Sequence, residues 1–292
     1  MAVAVVGLGQ MGSAFAERLL DAGQEVFVAN RTPGRAAALV ERGATELGSP
    51  AETWSKAETC VTSVSDSAAL LELALGPDGL IGTFATGKTF IDLSTVSAEA
   101  SAEVAEAAAL AGVHYLRAPV SGNPFVVRAG NLTILVSGEE STFEDNRELL
   151  AAIGPNLFYL GTGEVARVVK LALNLMVAGT AQLLAECIAL SEANGVDRAR
   201  LLEVVGGSVV GSPFVKVKTG PLVANNYAST FTTKLMQKDL RMILDLAARS
   251  GQPLPVSAEV ARLLQVATDH GMGDLDFMAL LPSLEQMAAS AR

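Results

Sequence analysis

From Gly161 to Glu192 the chain reads GTGEVARVVKLALNLMVAGTAQLLAECIALSE, without a proline. Apolar residues recur at Val165, Val168, Val169, Leu171, Ala172, Leu175 and Met176, close to the period of a helix. A helix of about 28 residues spans roughly 42 Å at 1.5 Å per residue. That exceeds what one small domain holds inside itself, so the stretch is expected to join two bodies. A membrane span would have similar length and apolarity, but Arg167, Lys170, Asn174, Gln182 and Glu186 count against it. Lys170 and Asn174, at i and i+4, share one helix face a turn apart. On the helix alone, a snorkelling lysine beside a packing asparagine accounts for them as well as a functional pair does.

At 292 residues the chain exceeds the size at which single cores stop growing, so two domains are expected. A net charge of −10 argues against nucleic-acid binding and requires any anionic ligand to be held by local groups. Cys60, Cys187, His114 and His270 are scattered, so neither a metal site nor a redox pair is expected. Free thiols suit a reducing cytoplasm, and no basic segment precedes the opening AVAVVG, so a cytoplasmic location without a signal peptide is expected.

Residues 2–6 (AVAVV) suit a strand buried on both faces. Gly7-Leu8-Gly9-Gln10-Met11-Gly12 follows, then the amphipathic SAFAERLLDAG and a second strand, EVFVAN (25–30). A G-x-G-x-x-G between strand and helix, inside about 30 residues, is the context a dinucleotide fingerprint requires. Gly7 permits the tight turn, Gly9 lets a pyrophosphate approach the backbone, and Gly12 allows helix and strand to pack closely. The helix N-terminus offers its N–H groups to the phosphate. The second strand ends in Asn30-Arg31-Thr32, without the carboxylate that bonds the ribose 2′-OH of NAD. Arg31 can pair with a 2′-phosphate, and Asn30 and Thr32 can hydrogen-bond it, which favours NADP(H). The competing reading is an ordinary surface arginine.

The alternation continues through a helix at 34–43, a strand at 59–64, and a helix opened by Ser65 or Asp66. A strand at 89–95 and a helix capped by Ser97 follow. Strands at 114–120, 132–138 and 157–161 are expected, with one helix from Ser141 or Thr142 before the last of these. This pattern gives an α/β fold with a doubly wound parallel sheet over residues 1–161. Val64, Ser65 and Thr95 then lie at the sheet edge where ligands bind, although helix caps and turns explain them equally well. Residues 162–192 form the interdomain helix. Helical patterns at 197–206, 232–249, 255–270 and 274–290 make 193–292 an all-α domain, broken at Gly211-Ser212-Pro213, Gly251-Gln252-Pro253 and Gly271-Met272-Gly273.

The chain resembles the β-hydroxyacid dehydrogenase family, which includes 3-hydroxyisobutyrate dehydrogenases and glyoxylate/succinic semialdehyde reductases. Five blocks carry the resemblance over essentially the whole length. They are GLGQMG (7–12), DLST (92–95), RAPVSGNPFVVRAGNLTILVSG (117–138), GTGEVARVVKLALN (161–174) and FTTKLMQKDL (231–240). NRT at 30–32 resembles the NADP-using branch.

The resemblance implies roles. Lys170 matches the catalytic lysine, whose ammonium would steady and protonate an alkoxide, the better if burial lowers its pKa. Asn174 matches an asparagine that holds substrate near that lysine. Ser121 and Gly122 match the loop that receives a carboxylate, Phe231 would face nicotinamide and substrate, and Lys238 of the Lys238-Asp239 pair would lie near the cofactor. Asp239 itself is expected to be structural. Asn123-Pro124-Phe125 departs from the family, where a second glycine is usual. Asn123 would then add a donor to the carboxylate, or the bulkier residues would reshape the pocket. Leu173 stands where many relatives have a first asparagine.

The resulting expectation is an NADP(H)-dependent dehydrogenase or reductase of a small β-hydroxyacid, semialdehyde or keto acid, with Lys170 as general acid/base. An imine reductase on the same scaffold is the alternative, although such enzymes tend to place Asp or Tyr at the position of Lys170. A non-catalytic nucleotide-binding interaction protein is a third reading. A homodimer or homotetramer is expected, because C-terminal helices of two subunits pack together in the family.

Overall fold

The computed structural model describes residues 2–82, 85–228 and 231–290. The chain divides into two compact units, Met1–Lys170 and Leu171–Arg292, and the boundary falls inside one long helix.

In the first unit, strands β1 (Ala2–Val6), β2 (Glu25–Ala29), β3 (Thr45–Glu46), β4 (Thr59–Thr62), β5 (Thr89–Asp92) and β6 (His114–Arg117) form a parallel sheet. Their order is β3-β2-β1-β4-β5-β6, so the chain reverses direction across the sheet between β1 and β4. β1 shows why the sheet is covered on both sides. Val3 and Val5 enter a core with Phe15 and Leu19, whereas Ala4 and Val6 enter another with Trp54, Leu70 and Phe90. The period-2 alternation of a strand thus feeds two apolar layers at once. The first layer is supplied by α1 (Gln10–Asp21) and α2 (Ala37–Glu41), and the second by α3 (Thr53–Lys56), α4 (Ser67–Leu75) and α5 (Ala98–Leu110). Asp66 caps α4 by accepting from Ala69 N–H, and Ser97 caps α5 by accepting from Ala100 N–H.

Three expectations from sequence need correction here. The strand anticipated at 114–120 is two strands. β6 ends at Arg117, and β7 (Val120–Ser121) joins a second sheet, β7-β8-β9, with β8 (Thr133–Val136) and β9 (Asn156–Tyr159). Pro119 lies at the crossing, where the missing N–H prevents continuation of the first ladder. β7 runs antiparallel to β8, so the unit is not purely parallel. Between them lies α6 (Pro124–Arg128). The single helix expected after Gly138 is a pair, α7 (Glu140–Asp145) and α8 (Arg147–Ile153), broken at Asn146. Neither Ser141 nor Thr142 opens α7, whose N-cap is Glu139. The two-residue β3 had too short a pattern to be legible.

The long helix α9 covers Val165–Ala193, 29 residues. By length and composition it could cross a membrane. Within the second unit, its Leu171, Ala178, Ala181, Leu184, Ala185 and Ile188 are buried in a protein core. That core also takes in α10 (Arg198–Gly207), α11 (Pro213–Val223), α12 (Thr233–Ser250), α13 (Pro255–Ala267) and α14 (Leu280–Ser290). Gly211-Ser212-Pro213, read from sequence as a break, is also a helix start. Ser212 caps α11 through Val215 N–H, and Pro213 occupies a first-turn position where its missing N–H costs nothing. The helix expected at 255–270 gives way after Ala267 to a wide turn in which Gly271 takes φ +80°.

Candidate active site

The glycine-rich turn has the geometry its spacing implies. Gly7 has φ +93°, and a Cβ there would stand 2.3 Å from the Ser63 carbonyl oxygen. A Cβ on Gly12 would stand 1.9 Å from the Gly7 carbonyl oxygen, so α1 can begin this close to β1 only with glycine. Gly9, the N-cap of α1, faces open space. These three glycines leave the first-turn N–H groups beside a cavity of about 430 Å³. Gly7, Gly9, Asn30, Arg31, Thr32, Val64 and Ser65 all line it. Leu8 is buried beneath the turn, while Gln10 and Met11 lie in the first turn of α1 without lining the cavity.

Asn30, besides lining the cavity, bonds the protein itself. Its side-chain oxygen accepts from Leu8 N–H at 2.8 Å and its nitrogen donates to the Thr32 carbonyl at 3.0 Å. It therefore ties the glycine turn to the end of β2. Arg31 is 84% exposed in its side chain and meets the 67% exposed Glu72 at 3.3 Å. Further lining comes from Pro50, from Ala69, Glu72 and Leu73 of α4, and from residues 76–78 just after that helix. Sequence reasoning missed this part of the lining, because an ordinary amphipathic helix carries no motif that marks one face as a ligand surface.

The ends of β4 and β5 are locked by a buried network. Val64 N–H donates to Ser94 Oγ, which donates to Asp92 Oδ1, and Thr62 Oγ1 donates to the same oxygen. Asp92 Oδ2 faces Arg167 at 2.6 Å, with side-chain exposures of 0% and 1%. The guanidinium also donates to the Ser94 carbonyl, Ser101 Oγ and Tyr115 Oη. Burial works against the charge of Arg167, but the facing Asp92 carboxylate, Tyr115 and Glu164 together more than offset it and hold the guanidinium above its ordinary pKa. Burial pushes the Tyr115 phenol up to about 12, so it serves as a neutral partner. Ser65 is not the α4 cap; its hydroxyl donates to Asp66, the residue that is. Thr95 is half-buried and lies outside the cavity lining.

The same network anchors the start of α9. Ser137 Oγ accepts from Ala166 N–H, and Glu164 pairs with Arg117 at 2.6 Å. With Arg167 bound at the end of β5, three ties hold the first turn of the helix to the ends of strands. Lys170, one turn further, is 8% exposed, and Asn174, one turn beyond that, is 6% exposed. A lysine this deeply placed is not a snorkelling surface residue, whereas Asn174 does pack against another helix, donating to Asp239.

Ser121 ends β7, and Gly122 follows with φ +147°, where a Cβ would stand 2.8 Å from Leu132 Cδ1. Asn123 caps α6, its oxygen accepting from Val126 N–H at 3.0 Å. That bond directs the amide so that only its nitrogen remains to be offered outward. Phe125 points into solvent at 69% exposure and so does not fill the space beside Ser121. In the second unit, the Asn174 amide nitrogen donates to Asp239 Oδ2, and Lys238 Nζ stands 3.2 Å from Asp239 Oδ1. Asp239, 1% exposed, thus orients both residues. Phe231 packs edge-on against Phe277 at 5.6 Å.

Residues 2–161 match the family model of the NAD-binding domain of 6-phosphogluconate dehydrogenase. Residues 161–284 match the family model described as NAD-binding of NADP-dependent 3-hydroxyisobutyrate dehydrogenase. Glyoxylate/succinic semialdehyde reductase 1 of Arabidopsis thaliana is 32% identical over 285 residues, covering 98% of this chain and 99% of that protein. The chain belongs to the β-hydroxyacid dehydrogenase family. It is an oxidoreductase of the NAD(P)-dependent kind. Among solved structures, 3-hydroxyisobutyrate dehydrogenase of Salmonella typhimurium superposes with a TM-score of 0.89 at 26% identity, covering 97% of this chain and 99% of the other. A structure described as Psf3 in complex with NADP+ and 2-OPP gives 0.89 at 25%, with the same coverage. An imine reductase from Pseudomonas sp. gives 0.67 at 25%, again with the same coverage. The cytokine-like nuclear factor N-PAC of Homo sapiens is 31% identical over 278 residues, 95% of this chain, which spans about half of that protein's length.

Proposed function

We propose that this β-hydroxyacid dehydrogenase is an NADPH-dependent reductase of a small carboxylate-bearing aldehyde or keto acid. The observation that carries the reading is the burial of Lys170 one turn before Asn174, on a helix whose first turn is fixed to the strand ends beside the dinucleotide cavity. Gly7, Gly9 and the α1 N-terminus hold the pyrophosphate, and Arg31 with Thr32 receives the 2′-phosphate. NADPH, when bound, supplies the hydride to the carbonyl carbon. Lys170 donates a hydrogen bond to the carbonyl oxygen, stabilises the charge that develops there, and delivers the proton that makes it a hydroxyl. In the first unit, the Ser121-Gly122-Asn123 turn offers its donors to the substrate carboxylate. The similarity to a glyoxylate/succinic semialdehyde reductase favours a carboxylate aldehyde as substrate.

Consumption of NADPH and NADH with glyoxylate, succinic semialdehyde, methylmalonate semialdehyde and a cyclic imine tests this. Turnover of a carboxylate aldehyde with NADPH is expected. Turnover of the imine alone would favour the imine-reductase reading, and nucleotide binding without any turnover the interaction-protein reading. Arg31→Ala is expected to raise KM for NADPH about tenfold or more while leaving NADH nearly unchanged, since a charge-assisted phosphate contact is lost. An equal effect on both cofactors would sink the assignment of Arg31.

We also infer self-association. Leu173, Met176, Thr180, Leu183, Cys187 and Leu190 recur at alternating spacings of three and four along α9, the seam of a helix that pairs with a copy of itself. Leu173, Met176, Leu183 and Leu190 are exposed. Sedimentation at micromolar concentration is expected to give a dimer or tetramer, and Leu183→Glu to shift it toward monomer. A parent protein that sediments only as monomer removes the inference.

A further inference from the structure

Arg31 does not face the dinucleotide cavity alone. Glu72, projecting from α4, lines the same cavity and stands 3.3 Å from the Arg31 guanidinium. Asp78 contributes a second carboxylate to that wall. The Arg31–Glu72 pair is exposed at both ends, so it is a weak interaction that a stronger anion can displace. We propose that Glu72 is a specificity-determining residue for the cofactor, through competition with the 2′-phosphate of NADP(H) for Arg31.

The argument rests on the reading that Arg31 receives the 2′-phosphate. A phosphate monoester carries between one and two negative charges at neutral pH. Docked on Arg31, it stands within a few ångströms of the Glu72 carboxylate, and the two anions share one guanidinium. Glu72 must swing away or tolerate the repulsion, and either lowers affinity for NADPH. The same carboxylate has the opposite effect on NADH. An ionised carboxylate is an acceptor, and the ribose 2′-hydroxyl is a donor it can take, much as an acidic residue does at the end of the second strand in NAD sites. The second strand here ends without a carboxylate, and α4 supplies one from the opposite wall. The chain's net charge of −10 makes the local balance decisive, because the overall field gives the 2′-phosphate no help. Two opposed side chains, one on each wall, thus set a preference for NADPH that is narrower than Arg31 alone would give.

Fragment binding isolates this end of the cofactor. Adenosine 2′,5′-bisphosphate and 5′-AMP would be titrated against the full chain by calorimetry, for the parent, Glu72→Gln, Arg31→Ala and the double variant. Glu72→Gln is expected to tighten the bisphosphate about fivefold at low ionic strength, with 5′-AMP unchanged or weaker, since two charges near 4 Å interact by about that much in high dielectric. The gain should shrink in 0.5 M salt and disappear in the Arg31→Ala background. If Arg31→Ala discriminates between the two fragments but Glu72→Gln does not, the role of Glu72 is overturned and the cofactor reading stands. If Arg31→Ala fails to discriminate, the cofactor reading falls first. A gain that persists without Arg31 would make Glu72 a simple repulsive charge and overturn the competition.

Discussion

Lys170→Ala is expected to lower kcat for a carboxylate aldehyde by about a hundredfold to ten-thousandfold, the range lost with a general acid. Dinucleotide binding should change little, because the cavity lining does not include Lys170. Fluorescence titration with NADPH therefore separates a chemical defect from a folding one. Lys170→Arg keeps the charge but not the compact, transferable proton, and should likewise leave nucleotide binding intact without recovering kcat. A kcat within tenfold of the parent in the alanine variant would remove Lys170 from the chemistry. The expectation is this strong because the lysine sits 8% exposed on a helix held in place by its own first turn. A long cationic side chain is brought to such a position only when its charge has something to do there.

Arg167→Met is expected to be the most destabilising single change in the first unit. It leaves Asp92 buried at 0% exposure without its partner, and breaking such a pair costs about 3–5 kcal/mol. Arg167 also donates to Ser94, Ser101 and Tyr115, so Arg167→Lys, with a point charge in place of a planar fork, should recover only part of the loss. For a chain of this size the methionine variant should melt about 10 °C lower. Calorimetry measures it, and a drop under 2 °C would mean that the network does not hold the end of β5. Any residual folded enzyme should show kcat reduced more than nucleotide affinity, since Arg167 fixes the helix turn that precedes Lys170.

Much of the site was legible because its chemistry depends on local spacing. Gly7 and Gly12 follow from a turn that admits no Cβ there, and the 2.3 and 1.9 Å at which a Cβ would meet backbone oxygens are that requirement in three dimensions. Ser97 and Asp66 caps, the α9 length and the i, i+4 pairing of Lys170 with Asn174 are equally local. The structure gives Asn30 a structural role beside its place in the cavity lining, since its amide bonds Leu8 and Thr32. Nothing in Asn30-Arg31-Thr32 distinguishes an amide that binds ligand from one that holds a turn.

The chain order therefore determined the alternation of strands and helices, the dinucleotide turn and the long helix, because each is set by period and by residues a few positions apart. Tertiary structure alone decided which distant residues meet. Arg167 lies 75 residues from Asp92 and Arg31 lies 41 from Glu72, and no periodicity links either pair. It also decided that the chain leaves the parallel sheet after Arg117 to start a second one, a choice made by which neighbouring strand edge is available at Pro119. Contacts of that kind exist only once the sheet has closed around them, which is why the partners of Arg167 and Arg31 could be seen only in the folded chain.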